Sequence, residues 1–297
     1  MIATVPITAG PSMPITRRSF LISLLPSVLA AGCAKIEPAG NARVLAPVEP
    51  VSFFLRELAG GAVQVETLVP AGQEPETFAL TVPQLARVAS SRLLFRIGFP
   101  LEEALLERLR SSAHRSAGDI EVVDLRPEKA AGSDPHIWMS PAIMKNALAP
   151  MADSLGRIAP EAAEEISRRA ADLTERLTAL EEEISAAVAS SPTRELYVFH
   201  PAYGYFCRQF GLEQIAFENE GHDPSPREMA DWIRRVQDRH VRVIIAQPEF
   251  SQAQIRSVAD QTGVPVRVQS PLEGDYFKNL RGLAALIADG PGDDPGE

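Results

Sequence analysis

Apolar and polar positions along this chain switch repeatedly between a period of two and a period of three to four. Val44-Leu45-Ala46 opens a strand, and residues 53–58 carry helical spacing that stops at Gly60-Gly61. Residues 63–69 alternate as a strand, and 85–88 form a short helix before the apolar strand 93–97. A helix over 101–109 and a strand over 121–125 complete this part. After the capping pair Ser140-Pro141 the pattern changes. Residues 141–190 read as helical throughout, with Leu173, Leu177, Leu180 and Ile184 forming one stripe. Pro150 and Pro160 lie inside this stretch, and Pro160 is expected to divide it into a shorter and a longer helix.

The alternation then resumes. Strands are expected over 195–199, 212–217, 241–246 and 264–268. Helices are expected over 202–210, 227–239, 251–262 and 276–287, the third of them stopped by Gly263. Repeated β-α units imply parallel sheets flanked by helices. The expected architecture is therefore α/β, with two lobes, 42–140 and 191–288, joined by a long connecting helix over 141–190. Residues 289–297, rich in Gly, Pro and Asp, read as a disordered tail.

The N-terminus follows different rules. Arg17-Arg18 precedes an apolar run over 20–31 that is interrupted by Pro26. That run is far shorter than the ~20 apolar residues a membrane-spanning helix needs. With Ala31-Gly32-Cys33 after it, residues 1–33 read as a twin-arginine export signal ending at a lipoprotein-like cleavage site. Translation from Met1 or from Met13 is compatible with this. Residues 34–41 would be a tether, and Cys33 the lipidated residue that holds the exported protein at the periplasmic or cell-surface side of the membrane. Cys207 is the other cysteine, so a lipidated Cys33 leaves no intramolecular disulfide. The formal charge is −10, with Arg17 and Arg18 among the positive groups and no acidic residue before Cys33. Such acidity disfavours nucleic acid as a partner and is compatible with cations.

Among the histidines, His114 and His240 stand at helix ends and read as surface residues. His136 and His200 each follow a strand and open a βα loop, where open α/β sheets place their ligands. Glu76 and Asp275 occupy the same kind of position. Two imidazoles and two carboxylates from four such loops suit a divalent transition metal. Asp134, beside His136, and His222, in a later loop, are possible auxiliary residues.

Three segments carry a resemblance. Asp134-Pro135-His136-Ile137-Trp138, His200-Pro201-Ala202-Tyr203-Gly204-Tyr205-Phe206 and Gly274-Asp275-Tyr276 resemble the zinc/manganese-type (cluster A-I) substrate-binding lipoproteins of metal ABC transporters. The likeness runs over about residues 44–287. It implies metal ligation by Glu76, His136, His200 and Asp275, and delivery by a monomeric, non-enzymatic carrier to the membrane permease of an ABC importer. The family usually has His after Pro at the first ligand position, where this chain has Glu76 after Pro75. It commonly has Glu-Pro-Gln-Phe where this chain has Gln247-Pro248-Glu249-Phe250, which displaces a carboxylate by two residues. The resemblance favours Zn2+ as the cargo, with Mn2+ or Fe2+ as alternatives. A metal-dependent hydrolase and a metal-free adhesin or scaffold are the competing functions. No His-Glu-x-x-His helix supports the hydrolase.

Overall fold

A computed structural model describes residues 42–111, 120–127, 134–218, 224–249 and 251–290, and in it the most apolar segments of each half become central strands. In the first half, β1 (Arg43–Ala46) pairs with β2 (Gln64–Thr67) and β3 (Leu93–Arg96), and β3 pairs with β4 (Glu121–Asp124). The second half repeats the plan with β5 (Glu195–Val198), β6 (Glu213–Ala216), β7 (Ile244–Ala246) and β8 (Val266–Val268). The orders are β2-β1-β3-β4 and β6-β5-β7-β8, and every pairing is parallel. The two sheets share one topology although the halves show no repeat of residue identity.

Parallel sheets covered by helices on both faces need continuously apolar central strands. Val44, Leu45, Ala46, Leu93, Leu94 and Phe95 meet that need in the first sheet, as do Val198, Ile244, Ile245 and Ala246 in the second; all are fully buried. At the edges, β4 and β8 are more exposed.

The helices begin and end on recognisable signals. α1 (Glu49–Ala59) stops where Gly60 takes a left-handed conformation, φ 54°, and its N–H bonds back to the Arg56 carbonyl. α2 (Val82–Ala89) starts three residues earlier than the apolar pattern indicates, because Thr81 and Gln84 form a reciprocal capping box. α3 (Pro100–Ser111) follows β3.

The connecting region divides at Pro160 into α4 (Pro141–Ile158), a 3-10 turn (Pro160–Ala162) and α5 (Ala163–Ser190). Ser140 caps α4 by accepting from the Ile143 N–H. Pro150 stays within α4, at an exposed position. The stripe of α5 is buried at Ile166, Leu173, Leu177, Leu180, Ile184 and Val188, facing α4, α1 and α9 (Tyr276–Asp289). The second half is completed by α6 (Gly204–Phe210), α7 (Pro226–Asp238) and α8 (Gln252–Thr262).

One apolar cluster runs from β1 through α4 and α5 to α9, so the two halves share a core. At its centre, Tyr276 of α9 meets Phe54 of α1 edge-on at 4.6 Å. The tyrosine also donates to the Trp138 carbonyl at 2.8 Å, and the Trp138 indole N–H donates to the Pro271 carbonyl at 2.8 Å. These contacts fix the loop of 134–140 from the first half against the 269–276 segment of the second.

The signal over 1–33 with Arg17, Arg18 and Cys33, the tether over 34–41, His114, His222 and residues 291–297 lie outside the described residues. α9 extends through Asp289, with Gly290 after it, so the start of the expected tail at 289 is helical.

Candidate metal centre

In each sheet the chain passes from the first strand to neighbours on opposite sides, which creates a crevice beyond the carboxyl ends of the central strands. Glu76, His136 and His200 meet there. One ligand atom from each lies within 4.8 Å of the others, and both histidines are buried.

His136 is held from both sides. Asp134 accepts from the His136 backbone N–H at 3.0 Å, and its Oδ1 lies 2.9 Å from His136 Nδ1. Trp138 and Phe99 pack around the ring at 5.2 and 6.2 Å between centroids. Burial pushes the Asp134 pKa up, but its bonds to His136 and the charges of His136 and Arg208 outweigh that, so it stays below the usual carboxylate range. Gly204 explains part of this arrangement. A Cβ at that position would stand 2.9 Å from Asp134 Oδ2, so glycine lets α6 begin against this carboxylate without displacing it.

His200 ends the β5 side of the crevice. The Gln247 side chain clamps its main chain, accepting from the His200 N–H and donating to the His200 carbonyl, both at 3.2 Å. Its Nδ1 lies 3.1 Å from Glu218 Oε2. Burial lowers the His200 pKa, but the Glu218 hydrogen bond and the charges of Glu76, Glu74 and Glu218 together carry it above the ordinary imidazole value.

Carboxylates on both Nδ1 atoms hold the rings in the tautomer whose Nε2 is an acceptor, the form that ligates metals. Nε2 of His136 lies 3.9 Å, and Nε2 of His200 3.7 Å, from Glu76 Oε1. Two donors at zinc-like bond lengths and tetrahedral angles stand about 3.4 Å apart. These separations are a few tenths of an ångström wider, too long for hydrogen bonds and close to the edges of a coordination polyhedron. The donor set therefore fits a divalent transition ion.

Glu76 is presented by the loop after β2, in which Pro75 is buried and Glu74 Oε1 accepts from the Glu76 N–H at 3.3 Å. Burial raises the Glu74 pKa, with the Glu76 charge adding and the His200 and His136 charges opposing.

Asp275 is exposed and caps α9, its Oδ1 accepting from the Lys278 N–H at 3.0 Å, and it stands outside the group of Glu76, His136 and His200. An aspartate just before a helix is a strong N-cap, and that local bond decides where its carboxylate sits. Glu218 was the residue the pattern missed. It lies two residues beyond β6, as His200 lies two residues beyond β5. His240, with φ 51° beyond α7, is exposed and stands outside the group of Glu76, His136 and His200.

Two parallel α/β lobes that share a core and bring buried imidazoles to the cleft between them define an extracytoplasmic metal-binding protein of the ABC-importer solute-binding class, a carrier and not an enzyme. Residues 44–290 match the family described as ZnuA, zinc-uptake complex component A, periplasmic, and the chain belongs to that family.

The high-affinity zinc uptake system protein ZnuA of Haemophilus influenzae is 26% identical over 302 aligned positions, covering 83% of this chain and 90% of the relative. The zinc-binding lipoprotein AdcA of Streptococcus pneumoniae serotype 4 is 23% identical, covering 86% of this chain and 55% of that longer protein. A ZnuA crystal structure superposes with a TM-score of 0.76 at 27% identity, covering 84% of this chain and 98% of that one.

Proposed function

We propose that this protein captures zinc outside the cytoplasm, holds it with Glu76, His136 and His200, and hands it to the permease of an ABC importer. The observation that carries this reading is the convergence of two carboxylate-held imidazoles and one carboxylate in a shared crevice. Imidazole suits zinc, and the affinity order of divalent ions places zinc above ferrous iron and manganese for such donors. The names of the Haemophilus and Streptococcus relatives point to the same ion. Manganese and ferrous iron are then weaker competitors for the same residues.

Ala31-Gly32-Cys33 supports a lipid anchor on Cys33, as does the lipoprotein name of the Streptococcus relative. Arg17-Arg18 supports export by the twin-arginine route. The protein acts as a monomer, with the membrane and the permease as its partners.

Isothermal titration of the purified protein tests the cargo. One zinc per chain is expected, with manganese failing to displace it at equal concentration and His136→Ala or His200→Ala abolishing tight binding. Displacement by equimolar manganese, or wild-type affinity in both variants, contradicts the reading.

A further inference from the structure

Glu249 stands just beyond β7, two residues after the Gln247 that clamps His200. It lines the same cavity as Glu74, His136, Trp138 and His200. Its Oε1 accepts from the Ser270 hydroxyl at 2.6 Å. Its Oε2 is sealed from solvent without a hydrogen-bond partner, the one side-chain oxygen in that condition among the described residues. A buried carboxylate oxygen with no donor is unfavourable unless a positive charge arrives to offset its desolvation. The Tyr203 hydroxyl does not supply a donor, because it donates to the Gln269 carbonyl at 3.1 Å. Glu74, across the cavity, differs: it accepts from the Glu76 N–H and has no oxygen sealed off in this way.

The order of these residues has a physical reason. At position 247 the side chain must both accept from the His200 N–H and donate to its carbonyl, which an amide does and a carboxylate does not. The carboxylate is two residues further on, at the cavity wall, and its second oxygen makes no bond to the protein.

We propose that Glu249 closes the coordination of the cargo ion from the second half. This rests on the metal-carrier reading above. Glu249 lies outside the group whose ligand atoms are within 4.8 Å of one another, so it reaches the ion by a change of side-chain rotamer. The ion then draws Glu76 and His136 from the first half and His200 and Glu249 from the second. Two carboxylates neutralise its charge, and the bond to Glu249 ties the β7 loop to the loop after β2.

Zinc titration and the visible spectrum of the Co2+-substituted protein test this, with folding of each variant checked by circular dichroism. Glu249→Gln should bind zinc one-to-one with affinity lowered by about a hundredfold or more, beyond the loss usual for an outer-shell partner. Its Co2+ absorption should change in position and intensity. Glu249→His should keep tight binding and shift the Co2+ bands as nitrogen replaces oxygen, and Asp275→Asn should match wild type. Wild-type affinity in Glu249→Gln overturns the proposal, as does weakened affinity with an unchanged Co2+ spectrum, which would mark a positioning role only. In both cases wild-type binding and its loss in His136→Ala leave the carrier reading intact. A wild-type protein that takes up no zinc overturns both.

Discussion

Glu218 Oε2 lies 3.1 Å from His200 Nδ1, at the ends of adjacent parallel strands. The pairing of β5 with β6 sets this contact, since the Glu218 N–H also bonds to the Phe199 carbonyl at 2.9 Å. The carboxylate holds the imidazole in its metal-ligating tautomer and makes it a stronger base. Glu218→Ala should therefore weaken zinc binding about 10- to 100-fold. Glu218→Gln, whose carbonyl oxygen can still accept from Nδ1–H, should recover much of the loss. Calorimetric titration checks both, and equal affinities for the alanine variant and wild type would remove Glu218 from the site.

The strand end that bears His200 is legible in the pattern of apolar positions, because a histidine just after a buried strand has few other places to point. So is the Asp134-Pro135-His136 turn, whose aspartate bonds to its own neighbour. Asp275 carries two readings, since a carboxylate before a helix serves equally as ligand or cap, and here its side chain caps α9. Glu218 and Glu249 depend on which strand lies beside β5 and on the path of the chain after β7, and hydrophobic periodicity specifies neither. The α2 start was missed for a simpler reason. Its first turn is secured by the Thr81–Gln84 capping box and is mostly exposed, so it carries no apolar stripe.

Gly204 is the position where close approach is most demanding. Gly204→Ala places a methyl group 2.9 Å from Asp134 Oδ2 and 3.3 Å from an Arg208 guanidinium nitrogen. Asp134 must then move, loosening its hold on His136 Nδ1. The expected outcome is a roughly tenfold or greater loss of zinc affinity with little loss of stability. Paired titration and thermal unfolding read the two effects separately; unchanged affinity would mean that Asp134 shifts without disturbing the ring.

Glu102 links pH to stability. It is fully buried, and its carboxyl oxygens accept from the Ile97 and Gly98 N–H groups, shaping the turn at Gly98 (φ 109°) that presents Phe99 to His136. Burial pushes its pKa up to about 7, against the opposing effect of those N–H groups and Arg96. In the unfolded chain a glutamate titrates near ~4.3. Between those values the folded protein binds more protons, so this group's contribution is complete at low pH and is lost as pH rises to about 7. The loss is on the order of 3 kcal/mol. Urea unfolding from pH 5 to pH 8 should show wild type losing stability relative to Glu102→Gln, in which the titration is absent. Parallel pH profiles for the two proteins would contradict this.

The central claim is that one zinc ion sits between His136, His200 and carboxylate oxygen. Zinc K-edge X-ray absorption of the one-to-one complex tests it most directly. The predicted spectrum has only nitrogen and oxygen neighbours at about 2.0–2.2 Å. It also shows the outer-shell scattering of two imidazole rings, falling to one ring or losing the metal altogether in His136→Ala. A zinc–sulfur distance, or a wild-type spectrum without imidazole scattering, would contradict the account.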